Sequence, residues 1–209
     1  MECKIAVLGL TGQTGAGKTT VSDWLRQEGI PVIDADIVAR EVVAKGQPCL
    51  LELAQEFSSG ILCEDGTLNR RMLGQLVFSD PQKLAALNRI TFPHILAQIS
   101  HRLKELSRAG EPLAVLDAPT LFESGADSLC TWTACVVAPA QQRLERIMAR
   151  DSLDPQQARM RIAAQNPQEF YTSRCRFVLE NTGELEGLQR QVHAMLEWIR
   201  EHCKDCAAQ

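Results

Sequence analysis

Short apolar runs alternate along the chain with longer stretches whose hydrophobic residues recur every three to four positions. The runs are residues 5–8, 32–33, 113–116, 134–137 and 177–179. Runs this short, separated by helix-length segments, predict buried strands of one parallel sheet covered by helices on both faces. Their spacing is unequal. Between Asp36 and Gly110 no strand pattern occurs. Leu50, Leu51, Leu53, Ala54 and Phe57 recur at helical spacing, an Asp65-Gly66 turn follows, and a further helical stretch ends near Phe78. Asp80-Pro81 reads as a helix cap followed by proline at the first helical position. The helix it opens carries Leu84, Leu87, Ile90, Ile99, Leu103 and Leu106, with an interruption expected at Pro93.

A second helical elaboration follows the fourth run. Arg143, Arg146 and Arg150 stand at i, i+3 and i+7, which groups them on one helix face. Asp154-Pro155-Gln156-Gln157 starts another helix, on which Arg161 and Gln165 share a face, and Pro167 ends it. The last helix bears Leu185, Leu188, Val192, Leu196 and Ile199, a packing stripe. The expected organisation is a single domain over 1–209. Its core is 1–36, 111–140 and 170–209, its helical insertion for the acceptor substrate is 37–110, and its small helical lid is 141–169.

Residues 9–20 supply the chemistry: Gly9-Leu10-Thr11-Gly12-Gln13-Thr14-Gly15-Ala16-Gly17-Lys18-Thr19-Thr20. They contain G-x-x-x-x-G-K-T between a β-prone stretch, Cys3 to Leu8, and a helix-compatible one. In that context the loop's backbone N–H groups and the helix N-terminus hold phosphate. Lys18 is suited to the β- and γ-phosphates and the Thr19 hydroxyl to direct ligation of Mg²⁺. The nucleotide-binding set is Gly12, Thr14, Gly15, Ala16, Gly17, Lys18, Thr19 and Thr20. The fold class is therefore α/β: a P-loop NTPase with a five-stranded parallel sheet, a helical substrate-binding insertion and a helical lid.

Charge and composition narrow the partners. The 209 residues carry a formal charge of −4, which points to neither nucleic acid nor an anionic membrane. No apolar run approaches the roughly 20 residues of a membrane span, and the N-terminus leads straight into a strand pattern. Eight scattered cysteines predict reduced thiols in a cytoplasmic protein. The Cys203/Cys206 pair lacks the second ligand pair that zinc requires.

Three further motifs close the strand patterns: Val32-Ile33-Asp34-Ala35-Asp36-Ile37-Val38-Ala39-Arg40, Asp117-Ala118-Pro119-Thr120-Leu121-Phe122-Glu123, and Asn181-Thr182-Gly183. With Leu10-Thr11-Gly12 and Arg146-Ile147-Met148-Ala149-Arg150-Asp151, they resemble the dephospho-CoA kinases along nearly the whole chain. That resemblance implies an adenylate-kinase-like fold. It also implies transfer of the γ-phosphoryl group of ATP to the ribose 3′-hydroxyl of dephospho-CoA, the last step of coenzyme A synthesis. It gives Asp36 the acceptor hydroxyl and its proton. Arg146 and Arg150 would then cover the phosphates, and Asn181 would border the adenine. Thr11 and Arg40 become candidates for substrate contact. Asp34 and Asp117 are candidates to hold water on Mg²⁺, Asp34 having a helix cap as its other reading. Members of the family usually carry glycine where this chain has Gln13, so that side chain is expected to turn away from phosphate. The readings left beside this one are another small-molecule or nucleotide kinase and a nucleotide-binding module without turnover. The guanine-reading Asn-Lys-x-Asp element of GTPases is absent.

Overall fold

The computed structural model of the chain describes residues 5–206, and side chains as far as Cys203. Cys3, Lys4 and the Cys206 thiol, which entered the reading above, lie outside the described residues. Five parallel strands form one sheet: β1 (Ala6–Gly12), β2 (Val32–Asp34), β3 (Leu113–Asp117), β4 (Trp132–Val137) and β5 (Phe177–Glu180), in the order β2-β3-β1-β4-β5. β1 is central. It pairs with β3 from Ala6↔Leu113 to Leu10↔Asp117, and with β4 from Leu8↔Trp132 to Gly12↔Val136.

All seven residues of β1 are buried, and the strand runs four residues beyond the predicted run. Pairing on both edges is the reason. Ladders to β3 and β4 hold the backbone extended through Gly9 and Gly12, residues whose own propensity favours a turn. Successive β1 side chains face opposite layers. Leu8 and Leu10 pack in one cluster with Val21 and Leu25 of α1 (Lys18–Gln27) and with Leu188, Val192, Leu196 and Ile199 of the terminal helix, Leu185–Cys206. On the other face Cys135 and Val137 meet Tyr171, with Phe122, Phe170 and Cys175 around them.

The chain divides into two compact units, 34–102 and the remainder. The smaller unit contains α2 (Ala35–Glu41), α3 (Pro48–Phe57), a 3₁₀ turn (Ser59–Ile61), α4 (Arg70–Phe78) and most of α5 (Pro81–Arg108). Asp80 caps α5 by accepting from Gln82 and Lys83 N–H. Contrary to expectation, α5 continues through Pro93 as one helix of 28 residues. Ion pairs to α2 and α3 flank it on both sides of the proline. His94 Nε2 lies 3.1 Å from Glu52 Oε1 on α3, Arg89 lies 3.3 Å from Glu56, and Arg102 pairs with Glu41 on α2.

The larger unit also holds α6 (Ala140–Asp151), α7 (Pro155–Ala163) and α8 (Gln168–Thr172), the first two within the segment expected as a lid. A reciprocal capping box of Asp154 and Gln157 starts α7. Leu144, Ile147 and Ala158 form an apolar contact between α6 and α7.

Candidate active site

β1 delivers the chain into a loop over residues 13–17, and α1 begins at Lys18. Gly17 caps α1 in the left-handed region at φ 104° with no side-chain hydrogen bond, so no side chain satisfies the first-turn N–H groups. Together with the helix dipole they constitute an anion-binding end. Two loop glycines are required by neighbouring protein. A Cβ at Gly15 (φ 75°) would sit 2.7 Å from the Arg143 carbonyl oxygen, and one at Gly17 would run into the Asn181 amide nitrogen.

Around this loop the polar side chains interlock. Lys18 Nζ pairs with Asp117 Oδ1 at the end of β3, and both side chains are largely buried. Asn181, following β5, is buried; its Nδ2 donates to Ala16 O at 2.8 Å and its Oδ1 accepts from Arg146 Nη2 at 3.4 Å. Arg146 also donates to Gly15 O at 3.3 Å and to Gln142 Oε1 at 3.2 Å. Arg146 and Asn181 therefore brace the loop from its carbonyl side. Thr19 is exposed beside Lys18, and Ala16 is buried beneath the loop. Thr11, expected against substrate, is wholly buried; its hydroxyl donates to Pro119 O at 3.2 Å and ties β1 to the loop after β3.

The three arginines of α6 do not share one environment. Arg143 is buried, with Nε and Nη1 lacking partners, and burial lowers its pKa. Arg146 is half-buried on the loop. Arg150 is exposed and forms a two-pronged bond to Asp151, at 2.8 and 2.9 Å. That bond raises the Arg150 pKa, and the same carboxylate, which Arg161 also approaches at 2.6 Å, is held below its ordinary range. Gln165 lies past the end of α7, so it shares no helix face with Arg161. Its Oε1 accepts from Thr14 N–H at 2.8 Å. Gln13 turns inward, away from the mouth of the loop, and its Nε2 donates to Asn166 O at 2.9 Å.

In the smaller unit Asp34 caps α2. Its Oδ1 accepts from Asp36 N at 2.8 Å and Ile37 N at 3.2 Å. Asp36 stands in the first turn of α2 and Arg40 in its last, where the Arg40 carbonyl accepts from Arg70 Nη2 at 3.5 Å.

A sequence profile described as dephospho-CoA kinase matches residues 6–187. The chain belongs to the dephospho-CoA kinase family. A dephospho-CoA kinase of Syntrophotalea carbinolica is 42% identical over 190 residues, which is 91% of this chain and 90% of that protein. A crystal structure from Thermus thermophilus is 38% identical with a TM-score of 0.79, covering 93% of this chain and 98% of its own. The dephospho-CoA kinase of Campylobacter jejuni is 25% identical with a TM-score of 0.69, covering 92% and 96%.

Within this dephospho-CoA kinase family member, sequence reasoning missed the contacts made across long separations. Glu123 accepts from Asn166 Nδ2 at 2.8 Å, 43 positions away, and Gln13 reaches Asn166 across 153. The burial of Arg143 did leave a signal. It lies one turn before Ile147, which is fully buried, so the two belong to the same inward stripe.

Proposed function

We propose that this chain transfers the γ-phosphoryl group of ATP to the ribose 3′-hydroxyl of dephospho-CoA, giving coenzyme A and ADP. The observation that carries the reading is the family match over residues 6–187, which takes in the phosphate loop and all three strand-end motifs. Phosphoryl transfer needs positioning and charge neutralisation more than covalent chemistry. The loop N–H groups and Lys18 bind the phosphates, and Asp117 orients the Lys18 ammonium. Arg146, carried on α6, adds positive charge at the loop's edge, and Arg150 joins it when it leaves Asp151. Asp36 orients the acceptor hydroxyl and takes its proton, while Arg40 contacts the CoA portion of the substrate. Asn181 borders the nucleotide as part of the wall it braces.

The hard oxygen donors at this end of the sheet, the exposed Thr19 hydroxyl and the Asp117 carboxylate, suit Mg²⁺, which binds through one or two protein oxygens together with phosphates. Bound there, the ion neutralises charge on the transferring group. Thr19 would hold it directly and Asp117, with Asp34 as a second candidate, through water. No helix of the described residues is long and apolar enough to cross a membrane. A cytoplasmic location accords with the free thiols of Cys49, Cys135 and Cys175.

The test is ATP consumption with dephospho-CoA as acceptor, with the phosphate located on the product. A 3′-phosphorylated product supports the reading. Faster turnover with a nucleoside monophosphate or another small alcohol refutes it.

A further inference from the structure

Two consecutive residues of the phosphate loop, Gln13 and Thr14, each donate a hydrogen bond to one of two consecutive residues at the base of the lid, Asn166 and Gln165. The Gln13 side chain donates to the Asn166 carbonyl, and the Thr14 backbone N–H donates to the Gln165 side-chain carbonyl, at 2.9 and 2.8 Å. Because a carbonyl oxygen only accepts and an N–H only donates, both amide orientations are unambiguous. Asn166 is held in turn. Its side chain donates to Glu123 in the segment after β3, and Pro167 behind it restricts its backbone. The other root of the lid also meets the loop, where the first turn of α6 lies so close to Gly15 that no Cβ fits between them.

Gln13 is the unusual member of this clasp. The side chain is buried, its Oε1 has no partner, and a buried orphan acceptor lowers stability. What the amide does make is a single bond from the loop to the lid.

We infer that Gln13 is a positioning residue that couples the phosphate loop to the lid through the Asn166 carbonyl. Loop shape and lid position then change together, and a nucleotide that orders one orders the other. The inference rests on the phosphoryl-transfer reading for its benefit to catalysis, but the coupling itself is measurable without dephospho-CoA.

The experiment compares the wild-type chain with Gln13→Met and Gln13→Glu. Methionine fills the same volume without a donor or an orphan oxygen, and glutamate keeps the shape but cannot donate to a carbonyl. ATP affinity is read by calorimetry, lid mobility by amide exchange over residues 155–166, and stability by thermal unfolding. Gln13→Met is expected to weaken ATP about 5- to 10-fold, the size of one net hydrogen bond. Exchange in the lid should quicken while the unfolding temperature stays level or rises. Gln13→Glu is expected to weaken ATP further, because it brings negative charge to a phosphate loop. Unchanged affinity and lid exchange in Gln13→Met would overturn the inference. So would a fall in unfolding temperature that parallels the loss of affinity, since that is the mark of a merely structural role. A wild-type chain that fails to phosphorylate dephospho-CoA refutes the functional reading and leaves these three measurements intact.

Discussion

Lys18 carries two jobs that its substitution will separate. It is the cation of the phosphate loop and also the partner of the buried Asp117 carboxylate. Lys18→Ala should abolish turnover. It should also destabilise the fold by roughly 3–5 kcal/mol, because the remaining carboxylate is buried without compensation. Adding Asp117→Asn should recover much of that stability and none of the activity, as read by denaturant unfolding beside ATP consumption. A near-normal rate in Lys18→Ala would remove the loop from the mechanism. The paired aspartates of α2 divide differently. Asp34 is a cap, and asparagine caps almost as well, so Asp34→Asn should be mild. Asp36→Asn should lower kcat by ~10²–10⁴, the usual worth of a positioned general base, with ATP affinity nearly unchanged. A larger loss at Asp34 than at Asp36 would reverse the two roles.

Helix α6 is where one spacing produced three environments. If Arg146 acts on the transferring group as proposed, Arg146→Ala should lower kcat at least ~100-fold through loss of a charged donor. ATP affinity should fall as well, because Arg146 braces Gly15 and Asn181. Arg143→Met should instead raise stability, as an apolar side chain replaces a buried guanidinium whose Nε and Nη1 have no partners. A mild effect of Arg146→Ala on kcat would remove that guanidinium from the mechanism, and a loss of stability in Arg143→Met would show that its burial is compensated. The same helix marks how far the sequence was legible. Its existence follows from the i, i+3, i+7 periodicity of its arginines; its apolar contact with α7 does not. The inward placement of Arg143 was visible only in its offset from Ile147, which the i, i+3, i+7 grouping of arginines obscured. Elsewhere the strand-end motifs were readable because strand, turn chemistry and helix start coincide within a dozen residues. The length of β1 was not readable, since its pairing strands lie more than 100 residues away, and nothing local marked the continuity of α5 through Pro93. Glutamines at 13 and 165 carry no local signature at all. Their meaning comes only from juxtaposition.

The folded molecule as a whole should show an alkaline limit with an identifiable contributor. Burial, with Asp127 and Cys175 nearby, pushes the Cys130 thiol from its ordinary value near 9 up to about 12. The folded chain therefore keeps this proton when the unfolded chain has lost it. The thiol's contribution to stability is fully present below pH 9 and declines as pH rises from 9 towards 12, by at most about 1.4 kcal/mol per pH unit. Cys130→Ala should flatten the decline of unfolding free energy over that interval. An identical slope in the variant would assign the alkaline limit to other groups.

The central position of β1 has a consequence for the ribosome. This strand is made first, yet both of its neighbours lie beyond residue 112. At roughly 5–20 residues per second of translation, about 100 residues of intervening chain take on the order of 5–20 s to emerge. For that whole interval seven consecutive residues destined for the deepest layer have no sheet to join. The unit spanning residues 34–102 is complete in sequence long before the strand that precedes it can pair. The nascent chain thus carries this strand as an unpaired, aggregation-prone segment until β3 and β4 emerge.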